Sequence, residues 1–160
     1  MANYWENNLF PQFLSTIDDC TLASYTNFQI QNELNNLAKR AIAQFKFPTY
    51  PLNYGSNNET NPNTGEEYGY YFIDERIDQK EFNVIVARMK QYWVEFQISQ
   101  ERLFANLYYD REIRLHSPGN TIDKLIKMFK NFERLAEKAE YDYYRVTSDN
   151  TPTLGGINDD

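Results

Sequence analysis

From Asp78 to about Tyr108 the chain returns an apolar residue every three or four positions: Phe82, Ile85, Val86, Met89, Trp93, Phe96, Leu103, Phe104 and Leu107. Lys80, Lys90, Gln91 and Glu95 fall largely off that stripe. Asp78, with Glu81 three residues on, supplies an N-terminal cap. About 30 helical residues at ~1.5 Å each span roughly 45 Å, which exceeds the usual width of a domain this small. The helix therefore crosses the molecule or runs out of it, and other helices must cover its stripe.

Two further segments can do so. Over residues 26–45, Ile30, Leu34, Leu37, Ala38, Ala41 and Phe45 form a one-sided stripe behind a capping box of Thr26 and Gln29. A last helix begins at Asn120, after the breaker SPGN, and runs to about Tyr144. Its apolar face is Ile122, Leu125, Ile126, Phe129, Phe132, Ala136 and Ala139. A shorter helix is expected near YWENNLFPQFL, limited by Pro11. The predicted fold class is mainly α: a small bundle of three main helices plus a short N-terminal one, with a β-hairpin or extended arm inserted after the first main helix.

The arm starts with FKFPTYPLNY, residues 45–54, which crowds four aromatic rings around two prolines. A loop rich in Gly, Asn, Pro and Thr follows, then YGYYFID, so the flanks read as two strands at about 45–74. Both flanks carry apolar residues on both faces, and an isolated hairpin is barely stable in water. Either a neighbouring subunit covers the outer face, through Phe47, Tyr50, Tyr54, Tyr70 and Phe72, or these rings simply cap one end of the bundle. The 160 residues fit one domain, 1–145, followed by a polar extended tail, 146–160, without Lys or Arg.

Chemistry is thinly represented. One cysteine, Cys20, allows neither an internal disulfide nor a zinc cluster, and implies an intracellular origin. The only histidine, His116, adjoins Ser117 in a loop, which is no catalytic geometry. Asp74, Glu75 and Asp78 lack calcium-loop spacing and read as helix-start charges. No glycine-rich phosphate cradle occurs, so no catalytic residue, cofactor or metal is expected, and the chain is not read as an enzyme. No leader peptide and no membrane span are expected either. A net charge of −7 argues against a generally basic nucleic-acid surface. Locally, however, Lys124, Lys127, Lys130, Arg134 and Lys138 recur at three and four opposite the apolar face of the last helix. Asp123, Glu133 and Glu137 stand within reach to lace this stripe with ion pairs.

Residues Glu33 to Pro48, ELNNLAKRAIAQFKFP, together with the order of hairpin, long helix, final helix and polar tail, resemble the head-to-tail connector, or adaptor, ring proteins of tailed bacteriophages, in particular crAss-like phage neck proteins. The resemblance implies a structural virion protein made in the host cytoplasm, joining portal to tail as a ring, often twelve-fold, that continues the DNA channel. Its partners would be further copies of itself, the portal protein, other neck or tail rings and, transiently, passing DNA. The aromatic arm would then carry lateral contacts, and Pro152, Leu154 and Ile157 would dock the tail on the portal or an adjacent ring. The lysine stripe would face the lumen or an acidic partner. The other reading of the same residues is a helical protein-binding module with no virion role.

Overall fold

The computed structural model describes residues 3–17, 25–60, 67–109 and 118–149. The elements in chain order are β1 (Asn3–Tyr4), α1 (Leu9–Leu14), α2 (Asn27–Gln44), β2 (Tyr54–Thr60), β3 (Glu67–Phe72), α3 (Gln79–Tyr109) and α4 (Pro118–Asp149). The architecture is mainly helical, a small bundle with an antiparallel hairpin after the first long helix.

α3 is the axis. Phe82, Ile85, Val86, Met89 and Trp93 are buried as the stripe requires, and Val84, Tyr92, Val94 and Ile98 are buried as well. The helix is thus enclosed on several sides, by α1 and α2 on one part of its surface and by α4 on another. Enclosure also explains Gln91, which the periodicity places off the buried face. It is 6% exposed, and its Oε1 accepts a hydrogen bond from Arg88 Nη1 at 3.0 Å.

Local chemistry sets the helix starts. The Thr26 hydroxyl accepts from Gln29 N at 3.3 Å, and the Gln29 side chain accepts from Thr26 N at 2.9 Å, so two orphan donors of α2 are satisfied reciprocally. At α3, Asp78 Oδ1 accepts from Lys80 N at 2.8 Å while Glu81 Oε2 accepts from Asp78 N at 3.0 Å. α4 starts two residues earlier than the expected Asn120, because Pro118 is preorganised for the first helical position, where no N–H is needed. It also runs past Tyr144 to Asp149, so residues 146–149, expected in an extended tail, are helical. Pro11 sits at the third residue of α1, where a missing N–H costs nothing.

The sheet has three strands in the order β1-β3-β2. Here the strand expected at 45–54 is corrected: pairing begins only at Tyr54, opposite Phe72, and proceeds through Gly55, Ser56 and beyond, in the stretch read as loop. A register shift between Ser56 and Glu59 bulges the strand. Gly55 permits close approach, since a Cβ there would lie 2.8 Å from the Tyr71 ring. The inner face of β3 presents Phe72, 1% exposed and 6.0 Å from Phe82 ring to ring. Trp5, fully buried, gathers Tyr54, Tyr70 and Phe72 at 5.0–5.5 Å between centroids and so ties the sheet to α1.

Among the described residues no helix is long and apolar enough to cross a membrane.

Candidate functional site

Residues 45–53, which form no strand, lie against the C-terminal part of α4. Phe45 is buried and meets the Tyr143 ring edge-on at 5.1 Å. The Tyr143 hydroxyl accepts from Thr49 N at 2.7 Å and donates to Glu81 Oε1 at 2.8 Å. Glu140 accepts from Lys46 N at 3.4 Å, from the Tyr144 hydroxyl at 3.0 Å and from Arg88 Nη2 at 2.7 Å. The prolines keep this segment from becoming helix or ladder, and the N–H groups of Lys46 and Thr49 are satisfied instead by side chains of α4.

These contacts perturb the ionisable groups. Burial pushes the Glu140 carboxyl up, but hydrogen bonds from Arg88, Tyr144 and Lys46 outweigh it and hold the group below its ordinary 4.5. Burial and the bond to Glu140 raise the Tyr144 phenol to about 12. Tyr143 is likewise raised, chiefly by burial. Both charges of the Arg88–Glu140 pair are largely withdrawn from water, with side chains 15% and 11% exposed.

The five aromatic residues expected at a subunit boundary divide sharply. Phe72 belongs to the core of the single chain and presents nothing to a neighbour, a correction that follows from its position on the inner face of the central strand. Tyr70 is half-buried, stacked on Trp5 at 5.1 Å, with its hydroxyl bonded to Lys39 Nζ at 2.6 Å. Tyr50 packs on the core under the Arg76 guanidinium, 4.3 Å from its ring. Tyr54 is 38% exposed and Phe47 is 72% exposed. Ile73, immediately after β3, is 60% exposed, a residue that the sequence did not single out.

A second exposed surface lies on α4. Lys124, Lys127, Lys130, Arg134 and Lys138 are all exposed, on the side opposite buried Ala136. The lacing expected from Asp123, Glu133 and Glu137 is not made: among the described residues no ion pair within 4 Å joins them, and Arg134 bonds Asn131 instead at 3.2 Å. Met128 and Leu135, 43% and 39% exposed, lie beside the cations. No described side chain of residues 121–135 is buried, although Ile122, Leu125, Ile126, Phe129 and Phe132 form an apolar face there.

Between α1 and α3 runs a shallow groove lined by Gln12, Ser15, Gln79, Asn83 and Lys90, its two glutamine amides bonded reciprocally at 2.7 and 2.9 Å. Of the three carboxylates before α3, Asp78 caps the helix, as read from the sequence. Asp74 pairs with Arg76 at 2.7 Å, and that bond lowers its pKa to about 2. Among the described residues no group of three His, Cys, Asp or Glu could hold a metal. Cys20, His116, Pro152, Leu154, Ile157 and the side chains of Leu103, Phe104, Leu107 and Tyr68 lie outside the described residues. Comparison with protein-family models, with curated proteins and with solved structures finds no match to this chain.

Proposed function

We propose that the chain is a structural subunit of a ring in the neck of a tailed bacteriophage, joining the portal to the tail and continuing the DNA channel. The observation that carries this reading is the incomplete cover of α4. Over residues 121–135 five apolar side chains are only partly buried, while Met128 and Leu135 are exposed. Apolar surface left open along a helix marks a site of association. Phe47 and Tyr54 add exposed rings on the hairpin side, and they carry the lateral contacts in this reading. Its docking segment toward the portal or the next ring is the stretch with Pro152, Leu154 and Ile157. Phage identity rests on the resemblance over Glu33 to Pro48 and on the order of elements.

The test is the mass and shape of the purified protein, alone and mixed with the portal protein of a crAss-like phage, by light scattering and negative-stain imaging. Closed rings of one fixed copy number, alone or on the portal, are expected. A particle that stays monomeric or dimeric in both cases removes the ring and leaves the binding-module reading.

A further inference from the structure

The exposed cations of α4 and the exposed turn after β3 have complementary chemistry. A step of 100° per residue puts Met128 and Leu135 nearly on one line along α4, with Lys124 and Lys138 on the neighbouring line. The surface is thus an apolar seam bordered by lysines. The turn after β3 is its inverse: Ile73 stands 60% exposed beside Asp74, Glu75 and Asp78, and although Arg76 pairs with Asp74 and Asp78 caps α3, three carboxylates against one cation leave the turn net negative. It is an apolar knob set among carboxylates.

Within one chain the knob does not reach the Met128 end of this seam. The turn is anchored beside the C-terminal part of α4, because Arg76 stacks on Tyr50 and neighbouring Thr49 bonds Tyr143. Met128 lies 15 residues up the helix from Tyr143, about 22 Å at ~1.5 Å per residue. Its mate must come from another molecule. Without the five lysine and arginine residues of the stripe, the chain holds 11 cations against 23 carboxylates, so its net charge of −7 becomes −12. Another copy therefore offers a surface of the required sign, and it carries the knob as well. A phosphate backbone would use the lysines but leave Met128 and Leu135 wet.

We infer that the turn Ile73 to Asp78 of one copy docks on the Lys124 to Lys138 face of the next, with Ile73 against Met128 and Leu135 and the carboxylates facing the lysines. This contact rests on the ring reading and deepens it. It joins two different patches, so it is heterologous, and repetition closes a ring or extends a filament. Opposed charge fixes the direction of travel around the assembly and discourages like faces from meeting.

Charge reversal with rescue tests it. The full chain, Lys127→Glu/Lys138→Glu, Ile73→Lys/Glu75→Lys, an equimolar mixture of the two variants, and the milder Ile73→Ser are compared by sedimentation velocity, with circular dichroism reporting folding. Wild-type self-association should weaken at least about tenfold between about 50 and about 500 mM salt. Each reversal should weaken it at least about tenfold at low salt, and the mixture should recover part of it, because the charges of each altered face then meet their opposite while the Ile73 contact is missing at half of the junctions. Ile73→Ser should weaken it without changing the salt dependence.

Two folded reversal variants that associate like wild type, or a mixture that stays dissociated, overturn the inference. So does a wild-type chain that is monomeric at both salts yet forms rings on a portal, in which case the ring reading survives without this contact. If a duplex DNA fragment binds wild type and not Lys127→Glu/Lys138→Glu, while self-association is unchanged, the face is a nucleic-acid surface and the inference fails.

Discussion

Tyr143 and Glu81, 62 residues apart in the chain, meet at 2.8 Å, the phenol donating to the carboxylate inside the core. Glu81 is also the residue that closes the capping box of α3, accepting from Asp78 N at 3.0 Å. The start of one helix and the end of another are therefore locked by a single buried carboxylate, 3% exposed at the residue level. Because Tyr143 also accepts from Thr49 N, the proline-bearing segment is locked to the same point.

Replacing Tyr143 by Phe keeps the ring against Phe45 but removes the hydroxyl. Buried Glu81 Oε1 and, at the part-buried edge, Thr49 N then lose a partner, which should cost about 2 kcal/mol in denaturant unfolding. Tyr141→Phe, at a position 67% exposed, is the control and should change stability by less than about 0.5 kcal/mol. Equal midpoints for the two variants would show that the lock contributes nothing.

The Arg88–Glu140 pair makes stability fall in acid. The folded pKa of Glu140 lies below its ordinary 4.5, so the group stabilises the fold fully above pH 4.5, and the contribution is lost as pH falls through the depressed folded value. Arg88→Met leaves the carboxylate without its cation. It should cost about 2 kcal/mol at neutral pH, less than a fully buried pair because both side chains keep some water. It should also flatten the acid limb below pH 4.5. Unfolding midpoints measured from pH 3 to pH 7 check both, and parallel curves for the two proteins would exclude the linkage.

The helices were legible and the strand was not, for a physical reason. α2 and α3 announce themselves by an apolar stripe and a reciprocal cap, both local signals spelled out by Thr26 with Gln29 and by Asp78 with Glu81. β2 instead owes its extended form to its partner: Gly55, Ser56 and Asn57 favour turns, yet Tyr71 covers Gly55, and Tyr4 donates to Asn57 Oδ1 at 3.1 Å. Those contacts come from strands far off in sequence. The same holds for the candidate surfaces. The lysine stripe can be read by periodicity, but no pattern in YGYYFID tells which ring faces inward, and so Phe72, expected at a subunit boundary, is buried while Ile73, given no role, is exposed.

Gly69 takes φ +89°, the one positive φ among the described residues, within the central strand. A Cβ there would meet Asn57 no closer than 3.4 Å, so space is available and the backbone is the obstacle. Gly69→Ala should therefore destabilise by about 1–2 kcal/mol through strain. Gly55→Ala meets the far end of the Tyr71 ring, which can swing outward, and should cost less. Thermal unfolding of the two variants decides between them: a larger loss at Gly55 would make crowding, and not φ, the limiting factor in this sheet.

Phe47 and Phe72 are both phenylalanines of the arm, with opposite exposures of 72% and 1%. Phe72 contacts Trp5 and Phe82, so Phe72→Ala opens a cavity in the aromatic hub and should cost about 3–5 kcal/mol, enough to unfold a marginal domain. Among the described residues Phe47 meets one aromatic ring, the edge of Tyr144 at 6.1 Å, and should be replaceable by Ser within about 0.5 kcal/mol. If Phe47 serves a neighbour, the same substitution should reduce assembly while leaving circular dichroism and the unfolding midpoint unchanged. Such a separation of stability from assembly is the signature of an interface side chain, since a residue that only caps the bundle would lower both together. Unfolding and sedimentation measured on one preparation of Phe47→Ser distinguish the cases, and unaltered assembly would remove this ring from the contact.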